Sequence, residues 1–137
     1  MSVIDQFDST MRLLNKVMDL RSANQEVIGS NIANAETPGY EARSFTFEDQ
    51  LRTALDGGSL RPVPTRPGHI PLSPGGVDEV AGVLSVKKDT SGIGDENTVS
   101  VDQEMVKLSE NEILYEAAVT MLNKKISMLK YATNSGA

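Results

Sequence analysis

The sequence predicts a mainly α-helical fold, in which two long terminal helices pack as an antiparallel coiled-coil pair with an irregular, short-stranded excursion between them. Near both ends of the chain, apolar residues recur at alternating steps of three and four. This spacing keeps one narrow apolar seam on one side of a helix. Most of the 11 glycines and 6 prolines lie between residues 57 and 98, which argues against a long helix there.

Residues 1–35 are predicted to form a single long helix. Its seam consists of Ile4, Phe7, Met11, Leu14, Met18, Ile28 and Ile32, with Arg21 and Gln25 at the two positions that are not apolar. A seam this narrow needs a partner helix, and the chain offers one only at its far end. A second, weaker stripe that includes Leu13, Val17 and Leu20 is expected to remain for neighbouring molecules.

Residues 36–56 are predicted to contain a turn, a short extended segment and a short helix. Phe45 and Phe47 are two residues apart in the extended segment, so their rings are expected on one face. Leucines at helical spacing then predict an amphipathic helix over Glu48–Leu55.

Residues 57–98 are predicted to be mostly loop and partly flexible, because glycine and proline interrupt regular structure throughout. Val83–Lys87 is expected to be a strand, paired with a neighbouring segment across a Gly-rich turn.

Residues 99–137 are predicted to form the second long helix, with Ser100 as its N-cap and Gln103 completing a capping box. Its seam has one charged member, Glu112. The apolar and aromatic members are Val101, Met105, Leu108, Tyr115, Val119, Leu122, Ile126 and Leu129. Acidic residues come early in this helix and lysines late, which suits the helix macrodipole.

Composition excludes several classes of function. The net charge is −6 and no segment is basic, so a surface for nucleic acid or for an anionic membrane is not expected. The chain has no cysteine, which excludes thiolate catalysis, disulfides and cysteine-ligated zinc. No apolar run is long enough to span a membrane, and no cleaved secretory signal is expected at the N-terminus.

No residue pattern predicts catalysis or a cofactor. The single histidine, His69, lies in a predicted loop without a second ligand beside it. Asp89–Ser100 superficially resembles a calcium loop, but its fifth and twelfth positions are Ile93 and Ser100, and the twelfth should be a glutamate. An enzyme is therefore a distant third hypothesis. The nearer alternative to a polymer subunit is a helical-hairpin adaptor or export chaperone that binds one partner through the seam.

The first helix ends in an unusual ten-residue sequence, Asn31-Ile32-Ala33-Asn34-Ala35-Glu36-Thr37-Pro38-Gly39-Tyr40. A simple helix stop would account for its Thr-Pro-Gly alone. As a whole it resembles the N-terminal signature of flagellar axial proteins, the family of rod, hook and hook-junction subunits. The positions that carry this resemblance are Asn31, Ala33, Asn34, Thr37, Pro38, Gly39 and Tyr40.

Within this family the chain is most similar to a proximal rod subunit, and the sister rod protein FlgC ranks second. The short length, the sequence Asn97-Thr98-Val99 and the closing helix with Leu108, Asn111 and Tyr115 support that placement. One departure lies just before the last helix, where Asp95-Glu96-Asn97 stands in place of the Asp-Gly-Asn usual in relatives.

The resemblance implies a structural subunit of the basal-body rod in the periplasm, whose terminal helices line the axial tube. It implies export by the flagellar type III apparatus without a cleaved signal peptide, and Val3, Ile4 and Phe7 are candidates for the export element. The implied partners are other rod proteins, the junction protein FliE between the MS ring and the export gate, and the export apparatus. No cofactor, nucleic acid or small-molecule substrate is implied.

Overall fold

The computed structural model describes residues 3–56, 76–88 and 94–134, with the backbone alone for 3–7. Its elements in chain order are α1 (Val3–Ala33), β1 (Arg43–Thr46), α2 (Glu48–Leu55), a single 3-10 turn (Val77–Glu79), β2 (Val83–Val86) and α3 (Val101–Asn134). Most of the predicted excursion, including His69, lies outside the described residues. The bounds of α2 match the predicted short helix.

Helices α1 and α3 pack against each other in antiparallel directions. Asn24 of α1 contacts Asn111 of α3, whereas Asn31, one heptad later in α1, contacts Glu104, one heptad earlier in α3. The predicted fold class, a mainly helical chain with a terminal helix pair and a short sheet between its members, is confirmed. No helix among the described residues is both long and apolar enough to cross a membrane.

The face that α3 turns towards α1 differs by one residue from the predicted seam. The buried residues of α3 are Glu104, Asn111 and Ala118, whereas Met105 is exposed. The reason is that Glu104 and Asn111 have hydrogen-bond partners on α1, so these polar side chains lie in the interface. An assignment that counts only apolar side chains therefore misplaces the face.

The other predicted seam residues divide by their burial. In α1, Leu14 and Ile28 are buried, and Met11, Met18 and Ile32 are half-buried. In α3, Leu108, Tyr115, Val119, Leu122 and Ile126 are half-buried, whereas Val101, Met105 and Leu129 are exposed. The side chains of Val3, Ile4 and Phe7 lie outside the described residues.

The two strands form an antiparallel pair in which Arg43 lies opposite Val86 and Thr46 lies opposite Val83. The prediction that β2 pairs across a local Gly-rich turn is wrong, because its partner is β1, which comes about forty residues earlier in the chain. Long-range pairing of this kind leaves no local turn signal in the sequence.

A small hydrophobic core joins α1 to the sheet and α2. Leu20, Phe47 and Val80 are its buried residues, and Phe45, Leu51 and Ala54 pack around them. The rings of Phe45 and Phe47 are 5.8 Å apart between centroids, as their shared face predicted. Leu20 is 5% exposed, so the expectation that it serves a neighbouring molecule is wrong.

Arg21 also belongs to this side of α1, although its spacing placed it in the seam. Its guanidinium lies 4.7 Å from the centroid of the Phe47 ring, and its Nη1 lies 3.2 Å from Oε1 of Glu48 in α2. A cation over an aromatic ring and an ion pair both favour this position. The side chain therefore ties α1 to the start of α2.

Candidate functional site

The signature turn is built around the side chain of Asn31, which is completely buried. Its amide nitrogen donates to the carbonyl oxygen of Arg43 at 2.6 Å and to Oε2 of Glu104 at 2.9 Å. Its amide oxygen accepts from the backbone nitrogen of Arg43 at 2.9 Å and lies 3.4 Å from the Tyr40 hydroxyl. A single side chain thus joins α1, β1 and α3.

Asn31 also covers one edge of the sheet. Its amide bonds both the N–H and the C=O of Arg43, as the backbone of an adjacent strand does in a ladder. Since both groups of Arg43 point away from β2, this position on the outer edge of β1 is satisfied by a helix side chain. The first signature position therefore fixes how the helix end meets the strand.

The middle of the signature ends the helix through local hydrogen bonds. The Asn34 amide donates to the carbonyl of Ser30 at 2.8 Å, and the Thr37 hydroxyl lies 3.3 Å from the Asn34 amide oxygen. Gly39 has φ of +72°, a left-handed conformation that favours glycine. Ala33 and Pro38 are exposed and complete the turn.

The segment 94–98, which we name the clasp, lies against this turn. The side-chain amide nitrogen of Asn97 is 3.0, 2.9 and 2.8 Å from the backbone carbonyl oxygens of Asn34, Ala35 and Thr37. These three carbonyls lie in the turn that follows the end of α1 at Ala33, so the side chain of Asn97 holds this turn from a distant part of the sequence. The N–H of Gly39 donates to the Asp95 carbonyl at 2.6 Å and closes the contact.

Thr98 continues the clasp into the sheet. Its hydroxyl accepts from the N–H of Ala42 at 2.8 Å and donates to the carbonyl of Lys87 at 2.9 Å. Its N–H donates to the carbonyl of Tyr40 at 3.1 Å. The residues just before α3 are therefore bonded to the end of the signature and to the end of β2.

Two polar contacts cross the helix pair seven residues apart. The first is Asn31 with Glu104, whose Oε1 also lies 2.6 Å from Lys107 Nζ. In the second, the Asn24 amide donates to the Asn111 side-chain oxygen at 3.1 Å, and the Asn111 amide donates to the Arg21 carbonyl at 2.9 Å. Buried polar pairs of this kind fix the register of paired helices, since a shifted register leaves them unpaired.

These contacts include residues that sequence reasoning did not assign to a site: Asn24, Asn97, Thr98, Glu104 and Asn111. A usable signal was the heptad spacing of Glu104, Asn111 and Ala118, which places a polar or small residue once every two turns on one face. Among the described residues, no group of three His, Asp or Glu side chains is arranged to hold a metal ion. The site has a structural role. We name it the joint: the set of hydrogen bonds within the chain that links the signature turn to the clasp, the sheet and α3.

Comparison with known proteins shows the family to which this chain belongs. A family model described as "Flagella basal body rod protein" matches residues 18–40, which hold Asn24, Asn31 and the whole signature. The FlgB basal body rod protein of Proteus mirabilis (strain HI4320) is 31% identical to this chain, over 98% of the chain and 100% of its own length. The chain belongs to the FlgB family of flagellar basal body rod proteins.

Other members of the FlgB family show the same extent of similarity. FlgB of Bacillus subtilis (strain 168) is 32% identical over 95% of this chain and 97% of its own length, and FlgB of Escherichia coli (strain K12) is 28% identical over 98% and 99%. The chain is thus a component of the flagellar basal-body rod, and its family is structural rather than enzymatic.

The departure from the family pattern at Asp95-Glu96-Asn97 lies in the clasp and predicts a stabilising substitution. Glu96 has φ of +58°, which costs an L-residue other than glycine about 1–2 kcal/mol. Replacing Glu96 with glycine, the residue expected from the family resemblance, is expected to raise the free energy of unfolding by about 1 kcal/mol, because glycine adopts this conformation without strain. Urea denaturation followed by circular dichroism measures the change.

Glu116→Gly, in the exposed part of α3, is the matched control. It is expected to lower the free energy of unfolding by about 1 kcal/mol, because glycine disfavours a helix interior. A loss of stability from Glu96→Gly similar to that of the control contradicts the strain argument.

Proposed function

We propose that this chain is a structural subunit of the proximal rod, exported by the flagellar type III apparatus and assembled through α1 and α3. The observation that carries the proposal is a row of exposed apolar side chains on the side of α3 turned away from α1. This row, which we name the outer stripe, consists of Val106, Ile113, Met121, Met128 and Tyr131, which are 57–77% exposed.

Exposure of a stripe of apolar side chains to water is unfavourable in free energy. A helix with apolar residues on all sides is typical of a helix buried on all sides, and a long exposed apolar patch marks an interaction surface. In this chain α1 covers one side of α3. Neighbouring subunits of the rod are the proposed cover for the other side.

The joint supports the same proposal, because a polymer needs every subunit to present its surfaces at the same angle. Asn31 and Asn97 tie the end of α1 to the start of α3 and to the sheet. The polar pairs across the helices fix their axial register. The relative position of α1 and the outer stripe is thereby set within each subunit.

The proposed partners are other rod proteins, FliE and the export apparatus, and the proposed location is the periplasmic rod. The basis is membership of the FlgB family together with the signature that ends α1. Val3, Ile4 and Phe7 remain the proposed export element. The relatives compared above are FlgB proteins, which disfavours the FlgC alternative, and a rod family disfavours an adaptor or a chaperone.

A complementation experiment tests the assembly role. Leu122→Asp places a carboxylate on a half-buried position of α3, and Asn123→Asp adds the same charge at the exposed neighbouring position. In a strain lacking its own copy of this protein, the Leu122→Asp variant is expected to give no swimming and no rod, because a carboxylate disfavours the burial that this half-buried position has in the helix pair. Asn123→Asp is expected to restore swimming.

Swimming in soft agar and immunoblots of purified basal bodies provide the readouts. If the unaltered chain restores swimming but is absent from the basal bodies, the proposed role as a subunit is wrong. If the Leu122→Asp variant enters the rod and restores swimming, assembly does not depend on the α1–α3 seam.

A further inference from the structure

The small sheet has exposed apolar side chains beside two cations. Leu84 and Val86 of β2 are 54% and 46% exposed, and the exposed Arg43 lies opposite Val86 on the same face. Lys88 is exposed two residues after Val86, so the alternation of a strand places it towards this face as well. We name these four residues the sheet patch. In a chain with a net charge of −6, they fit a partner surface that offers a carboxylate.

The exposed side of α1 near its C-terminal end has the complementary chemistry. Gly29 and Ala33 are exposed one helical turn apart, and Glu36 is exposed in the turn that follows; we name these three residues the helix patch. Glycine inside a helix costs about 1 kcal/mol relative to alanine. A Cβ added at Gly29 meets nothing within 4 Å, so no contact among the described residues requires glycine there. Close approach of a second molecule is a reason that remains.

We infer that the sheet patch of one copy docks on the helix patch of a second copy in the assembled rod. The inference rests on the proposed function, because it concerns a contact between subunits. Leu84 lies on Gly29 of the second copy, and Val86 lies on its Ala33. The spacings agree, since four residues of a helix span about 6 Å and two residues of a strand span about 6.7 Å.

The charges of the two patches then meet at one end of the contact. Lys88 follows Val86 along β2, and Glu36 follows Ala33 beyond the end of α1, so the ammonium and the carboxylate face each other. Arg43, across the sheet from Val86, adds a second positive charge beside this carboxylate. Among the described residues, no ion pair within the subunit involves Arg43, Lys88 or Glu36, so all three are available to a neighbour.

The direction of the contact is the one that a rod requires. Asn31 contacts Arg43 at the start of β1, and Leu20 packs with Phe47 just after its end, so β1 runs against α1. β2 is antiparallel to β1 and therefore runs in the direction of α1. Subunits of a growing rod repeat through open-ended contacts and keep their direction along its axis. The order of the sheet patch along β2 thus matches the order of the helix patch along α1 of the next copy.

Replacing Gly29 with leucine tests this contact in cells. Leucine favours a helix more than glycine does, and a Cβ at this position is free of contacts, so α1 is expected to stay intact. In a strain lacking its own copy of this protein, Gly29→Leu is expected to cause a loss of swimming, because the longer side chain keeps the sheet patch of the neighbour away. Asn15→Leu, exposed two heptads earlier on the same side of α1, is the control and is expected to support swimming.

A charge exchange tests the ionic end of the contact. Lys88→Glu and Glu36→Lys are each expected to reduce swimming, because each places like charges together. The double variant Lys88→Glu/Glu36→Lys is expected to swim better than either single variant. Lys87→Glu makes the same change of charge on the opposite face of β2 and is expected to leave swimming unchanged.

Disulfide capture reads the contact directly, since the chain has no cysteine of its own. Leu84→Cys and Gly29→Cys are combined in one chain, and purified basal bodies are oxidised and immunoblotted. Linked dimers and longer multimers are expected from the combined variant and not from either single variant. The inference is overturned if the combined variant is present in basal bodies but stays monomeric, or if Gly29→Leu swims as well as Asn15→Leu. Absence of the unaltered chain from basal bodies contradicts the proposed function itself.

Discussion

Replacing Asn31 with alanine is expected to lower the free energy of unfolding by about 3 kcal/mol, because a buried group left without its partner costs about 1–3 kcal/mol. The substitution removes the partner of the Arg43 N–H and C=O and one of the partners of the Glu104 carboxylate. Glu104 is 3% exposed, so water cannot simply replace the lost amide. The cost therefore comes from a buried carboxylate together with the part-buried backbone groups of Arg43.

Urea denaturation followed by circular dichroism measures this loss, and Asn34→Ala is the matched control. Asn34 belongs to the same signature, but its side chain is half-buried and bonds within its own turn. Its replacement is expected to cost about 1 kcal/mol, as for a lost local hydrogen bond. Equal losses for the two variants refute the central position of Asn31 in the joint.

Replacing Gly82 with alanine is expected to lower the free energy of unfolding by about 3 kcal/mol through strain and overlap together. Gly82 has φ of +74°, and a Cβ added there falls within 3.1 Å of three atoms of the Phe45 ring. That ring packs against the buried core formed by Leu20, Phe47 and Val80. Movement of the ring away from the added Cβ disturbs its packing against this core.

Gly39→Ala separates the two causes. Gly39 has nearly the same backbone conformation, with φ of +72°, but a Cβ added there meets nothing within 4 Å. Its replacement is expected to cost about 1 kcal/mol, from the left-handed conformation alone. The difference between the two variants in urea denaturation measures the overlap with Phe45, and a difference near zero shows that the ring moves aside freely.

Local periodicity predicted the elements of this fold well. The spacing of leucines predicted α2 at its observed bounds, and alternating residues predicted the strand that contains Phe45. The two terminal seams predicted the helix pair, since each was too narrow to be satisfied alone. All of these signals depend on residues that are close in sequence.

The remaining features depend on partners that are distant in sequence. The one-residue rotation of α3 follows from amide and carboxylate groups that bond across the pair, and their partners Asn24 and Asn31 are distant in sequence. Leu20 has the spacing of a surface stripe, but it is buried because Phe47 and Val80 meet there. Asn97 matches a residue of the family pattern, but its hydrogen bond to the turn that follows α1 can be seen only in the folded chain.

The position of Asn31 at the edge of β1 also limits what the small sheet can do. Asn31 occupies the outward backbone groups of Arg43 in β1, whereas at β2 Leu84 and Val86 are exposed and Lys87 and Lys88 follow. Unpaired strand edges can pair with strands of other molecules and lead to aggregation. Satisfied backbone groups at an edge and lysines beside it both oppose such pairing. The first signature position therefore disfavours the addition of a strand from another molecule beside Arg43.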